Sequence, residues 1–332
     1  MQITIIGTGV IGTSLAMALK AAKVDATIVG TDEKYTEATK AQRRGAFDKV
    51  ERRLMNATDG ADIVVLAMPV SGMKEIMEVI GPGLKEGTVV TDTGATKEVV
   101  LSWAQQYLPS NVHFVGGHPL VWPAGSGPEY AMPDLFKDQV YCIVPARWAS
   151  EEAVRKVMRI VEWIGAKPFH LNADEHDSYA AGVSQLPAVL AAALVKCTSN
   201  SPSWVDISKL VEPTFSTFTV MASGTPEVNR DICLTNTAKT IGWIERFIGE
   251  LLEVREMLQG EQDKAEKSLH DLFDKAQEER LRWMAGKVTR EFAPAVSVPT
   301  FGEMALELVI PRFLIEKYKR GMKMGEQKEQ QK

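Results

Sequence analysis

Cysteine is scarce in this sequence, with three residues among 332, and no CxxC pair occurs. Cys142, Cys197 and Cys233 lie far apart in the chain, which argues against both a disulfide framework and a structural zinc site. We therefore expect a reducing compartment, the cytoplasm, and no metal site. The opening MQITIIG also lacks the charged start and apolar stretch of a secretory signal, in agreement with that expectation.

A surplus of basic residues is also missing. Lysine and arginine total 38 against 43 aspartates and glutamates, so the formal net charge is −5. Nucleic-acid-binding proteins usually show a basic stripe, and we expect no nucleic-acid partner. The longest apolar run, residues 186–195, is too short to cross a bilayer, so we expect no membrane partner either. With 45% hydrophobic residues, the chain suits a globular protein of about two domains.

The first half of the chain alternates short apolar runs with helical patterns. Strands buried on both faces and separated by helices are typical of a doubly wound, largely parallel sheet. We therefore predict an α/β, Rossmann-type domain over residues 1–171. Its predicted strands are residues 3–7, 26–32, 62–69, 88–92, 112–117 and 140–145.

Strand-like runs stop after residue 171, and helical periodicity takes over. We predict an all-helical domain over residues 172–320 and a flexible polar tail over residues 321–332. Pro187 is predicted to kink one helix, and residues 227–258 and 263–284 are predicted to form long amphipathic helices. Long helices with broad apolar faces often pack across a two-fold axis, so we expect a homodimer through this domain.

A glycine-rich turn, GTGVIG, joins the first predicted strand to the first predicted helix. Gly7 allows the tight turn, Gly9 lets a pyrophosphate approach the backbone, and Gly12 lets the helix pack closely on the strand. The helix N-terminus offers N–H groups and a partial positive charge, so Val10 and Ile11 belong to the predicted nucleotide site. The alternative is a glycine turn that packs a helix and binds no ligand.

Asp32, at the end of the second predicted strand, completes the nucleotide site. Its carboxylate can accept hydrogen bonds from ribose hydroxyls and would repel a 2′-phosphate, so the sequence favours NAD over NADP as cofactor. Met68 and Pro69 end another strand at the same edge of the sheet. Their backbone is predicted to line the cofactor crevice.

The stretch FVGGHPLVWPAGSGPEY, residues 114–130, reads as a loop at a further strand end and carries His118. Such strand ends face the cofactor, and an imidazole there can accept a proton as a substrate hydroxyl gives up hydride. A turn histidine bonded to backbone is the structural alternative. His176 and Asp177 lie at a helix start that Asn172 or Asp174 can cap, and first-turn capping and charge account for them.

Four segments together suggest a family: IIGTGVIGTSLAMAL, TDTGATKE, the GGHPL block with SGPEYAMPDLF, and HDSYAAGVSQLPAVLAAAL. In order and spacing they resemble the prephenate and arogenate dehydrogenases of tyrosine biosynthesis, over residues 1–260. The resemblance implies a Rossmann domain followed by a helical dimerisation domain. It also implies oxidation of the ring carbinol of prephenate or arogenate with loss of carbon dioxide and transfer of hydride to NAD(P). The implied products are 4-hydroxyphenylpyruvate and tyrosine, respectively.

The resemblance assigns the family's catalytic histidine to His118, and the Asp and Lys of its serine loop to Asp92 and Lys97. Val121 and Trp122 replace the Ala-Gly that usually follows the histidine block. Four polar family positions also differ in this chain. A serine, a polar or acidic residue, a histidine and the substrate-binding arginine are replaced by Ala95, Ala124, Gln185 and Val220, respectively.

The resemblance implies a small carboxylic acid as substrate, so the missing arginine matters most. A buried carboxylate without a partner costs several kcal/mol, about the effective penalty for one buried ion. We expect Arg230 to supply the cation, and Thr96, Ser184 and Gln185 to contact the substrate. Two alternatives stay open: a related dehydrogenase for a more apolar hydroxy acid, which Trp122 favours, and a non-catalytic NAD-binding dimer.

Overall fold

The computed structural model describes residues 1–286 of the chain. The predicted tail, and the predicted helical domain beyond residue 286, lie outside the described residues. The chain divides into two compact units after Glu250, and every site residue discussed below belongs to the first unit.

Eight strands form one sheet in the order β3-β2-β1-β4-β5-β6-β7-β8. Neighbouring strands are parallel except for β6 and β7, so the predicted doubly wound, largely parallel sheet is confirmed. The strand order reverses between β1 and β4, where such sheets bind their ligands. The strands are β1 (Gln2–Ile6), β2 (Thr27–Thr31), β3 (Lys49–Val50), β4 (Ile63–Leu66), β5 (Val89–Asp92), β6 (His113–Pro119), β7 (Val140–Pro145) and β8 (Lys167–His170).

Two of these strands were not predicted from the sequence. Strand β3 is only two residues long, and all four residues of β8 are exposed, so neither gives a buried apolar run. Strand β6 also extends further than predicted. His118 therefore lies in the strand, opposite Cys142 of β7, and not in a loop.

Helices cover both faces of the sheet. Alternate strand residues enter different hydrophobic clusters: Ile63 and Val65 belong to one, and Val64 and Leu66 to the other. Because successive side chains of a strand point to opposite faces, both faces are buried. The helices of this region are α1 (Val10–Ala21), α2 (Tyr35–Arg43), α3 (Leu54–Thr58), α4 (Val70–Ile80), α5 (Glu98–Tyr107) and α6 (Glu151–Trp163).

Beyond Asn172 the described elements are helical. Pro187 interrupts the first of them as predicted: a π-helical turn, Ala181–Gln185, joins α7 to α8, and proline lacks the N–H that a regular helix would need there. The predicted helix 227–258 is wrong in one respect. Asn236 leaves helical geometry, with φ −136° and ψ 39°, and divides it in two. The helices are α7 (Ala173–Ala180), α8 (Leu186–Ser199), α9 (Trp204–Ile207), α10 (Pro213–Thr219), α11 (Pro226–Thr235), α12 (Thr237–Gln259) and α13 (Gln262–Met284).

One helical run among residues 1–286, Ala173–Ser199, is long and apolar enough to cross a membrane by length and composition. The run comprises α7, the π turn and α8, and 28% of its most apolar window is buried. Its first half supplies buried polar side chains to the site described next.

Candidate active site

The glycine turn after β1 has the backbone that its sequence predicts. Gly7 has φ +98°, a left-handed conformation that L side chains rarely adopt, and a Cβ there would lie 2.3 Å from the Ala67 carbonyl oxygen. A Cβ on Gly12 would lie 2.0 Å from the carbonyl oxygen of Gly7. Both positions therefore require glycine, and Gly9 caps the start of α1. A Cβ on Gly7 would also lie 3.3 Å from Cβ of Met68, so the chain directly after β4 lies beside this turn.

Asp32 is anchored next to the glycine turn. Its Oδ2 accepts hydrogen bonds from the backbone nitrogen of Thr8 at 2.7 Å and from the Thr8 hydroxyl at 3.0 Å. Its Oδ1 accepts from the backbone nitrogen of Lys34 at 2.9 Å. A carboxylate offers about four acceptor positions, so Asp32 keeps capacity for a ribose hydroxyl. The glycine turn and Asp32 together fit a bound NAD.

The segment after β6, which we call the crossing segment (residues 120–132), runs back over the glycine turn. The Ser126 carbonyl oxygen accepts a hydrogen bond from the backbone nitrogen of Val10 at 2.9 Å. Arg44 donates to the carbonyl oxygen of Ala131 at 2.8 Å, and the Met132 nitrogen donates to the Ser14 hydroxyl at 3.0 Å. The strand that carries His118 is thereby tied to the cofactor turn.

His118 is half-buried and is the first member of a chain of three side chains that continues into the interior. Its Nδ1 lies 2.9 Å from Nε2 of His176, and Nδ1 of His176 lies 2.8 Å from Oδ1 of Asp177. His176 is 2% exposed and Asp177 is fully buried. Asp177 also accepts the backbone N–H groups of Lys97 at 2.7 Å and Glu98 at 2.9 Å, at the start of α5.

The capping role expected for His176 and Asp177 is therefore incomplete. Helix α7 is capped by Asn172, whose side chain accepts from the Glu175 nitrogen at 2.9 Å within a capping box. Asp177 instead caps α5, a different helix, and orients His176. The sequence did contain a signal for this role. Asn172 can cap the start of α7 by itself, so the adjacent pair His176 and Asp177 was not needed for capping that helix.

The hydrogen bonds define the protonation pattern of this chain. A carboxylate only accepts, so Nδ1 of His176 donates to Asp177. Nε2 of a neutral His176 then accepts from Nδ1 of His118, which leaves the lone pair of His118 on Nε2. Burial lowers the pKa of His118 well below its ordinary value, and the electrostatic effects of His176 and Lys97 lower it further. His118 can therefore act as a neutral base at neutral pH.

A buried ion pair holds the loop between β5 and α5 against His118's strand. Asp92 and Lys97 are fully buried and form a salt bridge. Asp92 also accepts from the backbone nitrogen of Gly117 at 3.0 Å and from that of Gly94 at 2.8 Å. These bonds fix the position of Ala95, at which the resemblance implies a serine.

A cavity of about 320 Å³ lies beside His118. It brings together four predicted site residues, His118, Ser184, Gln185 and Arg230. No carboxylate occurs among the residues that line it within the described part of the chain. The lining residues are Ala95, His118, Ser184, Gln185, Ala188, Val189, Ala192, Asn229, Arg230, Ile232 and Cys233.

Three other predicted positions lie away from this lining. Thr96 is fully buried, and its hydroxyl lies 3.0 Å from the Thr235 hydroxyl, so the side chain is directed away from the cavity. Val220 is 51% exposed in a short 3-10 helix, and Ala124 lies on the crossing segment. Arg230 contacts Asp231 through Nε at 2.8 Å and Nη2 at 2.6 Å, so its charge is already partly balanced.

The sheet, the glycine turn, Asp32 and the histidine at the cavity define an NAD-dependent dehydrogenase of the Rossmann type. Models of two domains match the chain: "Prephenate dehydrogenase, nucleotide-binding domain" over residues 15–169, and "Prephenate dehydrogenase, dimerization domain" over residues 172–275. The chain therefore belongs to the prephenate dehydrogenase family. The resemblance inferred from its motifs is confirmed, and so are its class as an oxidoreductase and its cofactor, NAD.

Individual relatives agree with this assignment. The prephenate dehydrogenase of Bacillus subtilis is 30% identical over 261 residues, covering 78% of this chain and 70% of the relative. The cyclohexadienyl dehydrogenase of Zymomonas mobilis is 30% identical over 256 residues, covering 76% and 87%. The crystal structure of prephenate dehydrogenase from A. aeolicus with hydroxyphenyl propionate and NAD⁺ is similar with a TM-score of 0.79 at 27% identity, covering 85% of this chain and 97% of that one.

Proposed function

We propose that the protein catalyses the oxidative decarboxylation of prephenate or arogenate, with His118 as the acceptor of the hydroxyl proton. The observation that carries this proposal is the Asp177–His176–His118 chain, which ends on the wall of the cavity. The relatives named above carry the corresponding activities in their names.

The cofactor is assigned to the crevice beside the glycine turn. Bound there, NAD would supply the hydride acceptor for the ring carbon that bears the substrate hydroxyl. The backbone N–H groups of the turn and of the α1 N-terminus would meet the pyrophosphate, except that of Val10, which already donates to the Ser126 carbonyl, and Asp32 would offer an acceptor to the ribose. The residues proposed to hold NAD are Gly7, Gly9, Val10, Ile11, Gly12, Asp32, Met68 and Pro69.

His118 takes the proton as the carbinol becomes a carbonyl. Nε2 of His118 accepts it, and the Nδ1 proton is shared with His176, whose positive charge is balanced by Asp177. The ring carboxylate leaves as carbon dioxide, its bonding electron pair enters the ring, and the carbonyl oxygen takes up a proton to become the phenol. Aromatisation makes the overall step strongly favourable.

Arg230 and Ser184 are the proposed contacts for a substrate carboxylate. Arg230 is the cation on the cavity wall within the described residues, and its side chain is 61% exposed, so it is free to turn from Asp231 toward a ligand. Ser184 adds a hydroxyl donor on the same wall. Thr96, also predicted as a contact, would first have to leave Thr235.

We also propose a homodimer formed through the helical region, with domains that meet near residue 171 and act in the cytoplasm. The match to a dimerisation domain over residues 172–275 supports the dimer. So do the large apolar side chains that this region leaves exposed, among them Val205, Leu210 and Leu234. The scarcity and wide spacing of cysteine in the sequence support the reducing compartment.

The test is NADH formation by the wild-type enzyme with prephenate, arogenate and a panel of small hydroxy acids, alongside His118→Asn. We expect turnover of prephenate or arogenate, and a loss of about 10²- to 10⁴-fold in kcat for the variant, the usual contribution of a general base. NAD should still raise the melting temperature of His118→Asn. The matched control is His270→Asn, an exposed histidine on α13.

Two outcomes would contradict the proposal. Turnover of other hydroxy acids alone would favour a related dehydrogenase with a different substrate. Inactivity on every substrate, with a melting temperature that still rises with NAD, would favour a non-catalytic NAD-binding dimer.

A further inference from the structure

Gln185 carries an amide nitrogen that has no hydrogen-bond partner, although the residue is only 3% exposed. The residue lies on the π turn between α7 and α8 and lines the cavity beside His118. A buried donor without a partner is costly, typically by about 1–3 kcal/mol, so such a group in a ligand cavity points to a ligand acceptor.

The orientation of this amide follows from its neighbours. Nδ2 of Asn236 donates to the carbonyl oxygen of Asp177 at 2.7 Å, which identifies that atom as nitrogen, because a carbonyl cannot bond to another oxygen acceptor. The same nitrogen lies 3.0 Å from Oε1 of Gln185. Reversing Gln185 would bring two NH₂ groups face to face. The Thr240 hydroxyl, 2.6 Å from Oε1, adds a second contact to the oxygen.

The NH₂ group is therefore the unpartnered end of the Gln185 amide, on a residue that lines the cavity. Its oxygen is taken up by α11–α12 residues, and its NH₂ group is left for a ligand. The cavity wall adds one cation, Arg230, the neutral base His118 and the polar groups of Ser184 and Asn229, and within the described residues it has no carboxylate. An acceptor oxygen of a substrate can receive hydrogen bonds from donors on this wall. A substrate ammonium group meets no carboxylate among the described residues that line it.

We propose that Gln185 sets the choice of substrate: its Nε2 donates to an acceptor oxygen of the substrate side chain, so the cavity selects prephenate over arogenate. This inference rests on the proposed function and deepens it. The two substrates share the ring and both carboxylates. They differ at one position of the side chain, which is a keto oxygen in prephenate and an ammonium in arogenate.

Three probes with the same phenol ring and carboxylate isolate that position. They are 4-hydroxyphenylpyruvate with a keto oxygen, 3-(4-hydroxyphenyl)propionate with a methylene, and tyrosine with an ammonium. Calorimetric titration of the NAD-saturated enzyme should show the keto acid binding about three- to tenfold more tightly than the propionate, the range of a neutral hydrogen bond. Tyrosine should bind more weakly than the propionate.

The decisive variant is Gln185→Glu. It retains an oxygen for Asn236 and Thr240 and replaces the donor with an acceptor that carries a negative charge. We expect the order of the probes to reverse, with tyrosine binding more tightly than the keto acid, and kcat/KM to shift from prephenate toward arogenate. A gain for the amino compound cannot come from misfolding. The control is Gln105→Glu, the same change at an exposed position of α5.

Other results would overturn the inference. Equal binding of the three probes by the wild type, or equal loss of all three in Gln185→Glu, would mean that Gln185 does not contact this position. The binding order does not depend on turnover. An enzyme that orders the probes as expected but oxidises neither substrate would contradict the proposed function and leave the role of Gln185 standing.

Discussion

The sheet region, residues 2–170, buries its own core, whereas the helical region that follows leaves large apolar side chains in contact with solvent. Both hydrophobic clusters consist of residues up to Ala166. In the helical region, Val183 is 76% exposed and Leu210 is 79% exposed. Extended exposed apolar surface marks a surface that another molecule covers. The first region thus buries a hydrophobic core of its own residues, while the second exposes apolar surface of the kind that a partner covers.

The difference between the two regions is tested most directly by placing charge on the exposed apolar surface of the helical region. We expect Leu210→Asp combined with Ile248→Asp to convert a dimer into a monomer. Two leucine-sized side chains at about 1.5–3 kcal/mol each, counted twice across a two-fold axis, would raise the dimer dissociation constant by about 10⁴-fold or more. Size-exclusion chromatography with light scattering measures the change.

The matched control is Val79→Asp on α4, where an equally apolar side chain is 52% exposed in the sheet region. Such a surface substitution should change stability by no more than about 0.5 kcal/mol and leave the dimer intact. A wild-type enzyme that is monomeric, or a control that dissociates equally, would remove the distinction between the two regions.

The next largest expected effect is on kcat, and it tests the contribution of His176, a residue of the helical region, to catalysis. We expect His176→Asn to lower kcat by about 10²-fold, at the low end of the contribution of acid–base catalysis, because His118 loses the side chain that shares its proton. NAD binding belongs to the sheet region and should be unchanged, as measured by the rise in melting temperature.

The pH profile separates this role from a structural one. His118 must be neutral to accept a proton, so activity falls as the pH drops through the pKa of His118. Burial, His176 and Lys97 lower that pKa, and the acid limb of the wild-type profile should lie below the ordinary histidine value of about 6.5. Replacing His176 removes one of the groups that set the pKa of His118, so the acid limb should shift from its wild-type position. An unmoved limb would exclude the proposed coupling.

The smallest effect is confined to the sheet region. Asp32→Ala removes the proposed ribose acceptor, and we expect the dissociation constant for NAD to rise about tenfold, as for a hydrogen bond to a charged group. Discrimination against NADP should relax, because the repelling carboxylate is gone. Equilibrium titration with both cofactors measures the change, with the exposed neighbour Glu33→Ala as control. An unaltered preference would show that Asp32 does not bind the ribose.

Local sequence patterns were sufficient where structure depends on neighbours in the chain. The glycine turn follows from GTGVIG because the turn, the helix start and the strand before it are contiguous. Asp32 and His118 were predicted at the ends of strands, and the parallel order of those strands brings them to one edge of the sheet. These features require no knowledge of distant contacts.

Tertiary contacts decided the features that the sequence did not reveal. His176 contacts His118 across 58 positions of the chain, and Asp177 contacts the Lys97 backbone across 80. The helical periodicity of the sequence continues through Asn236 without interruption, so the sequence predicted a single helix there. The Asn236 side chain bonds the Asp177 carbonyl and Gln185, so the local helix ends where those distant bonds require it.

The contacts of Asp177 restrict how enzymes of this architecture can recombine. One carboxylate from the helical region closes the first turn of α5 and orients the imidazole that supports His118. A hybrid gene that joined this sheet region to a foreign helical region would keep its cofactor turn. It would regain turnover only if the incoming helix brought an acid and an imidazole at the same two positions. The halves of this catalyst are therefore inherited as a matched pair.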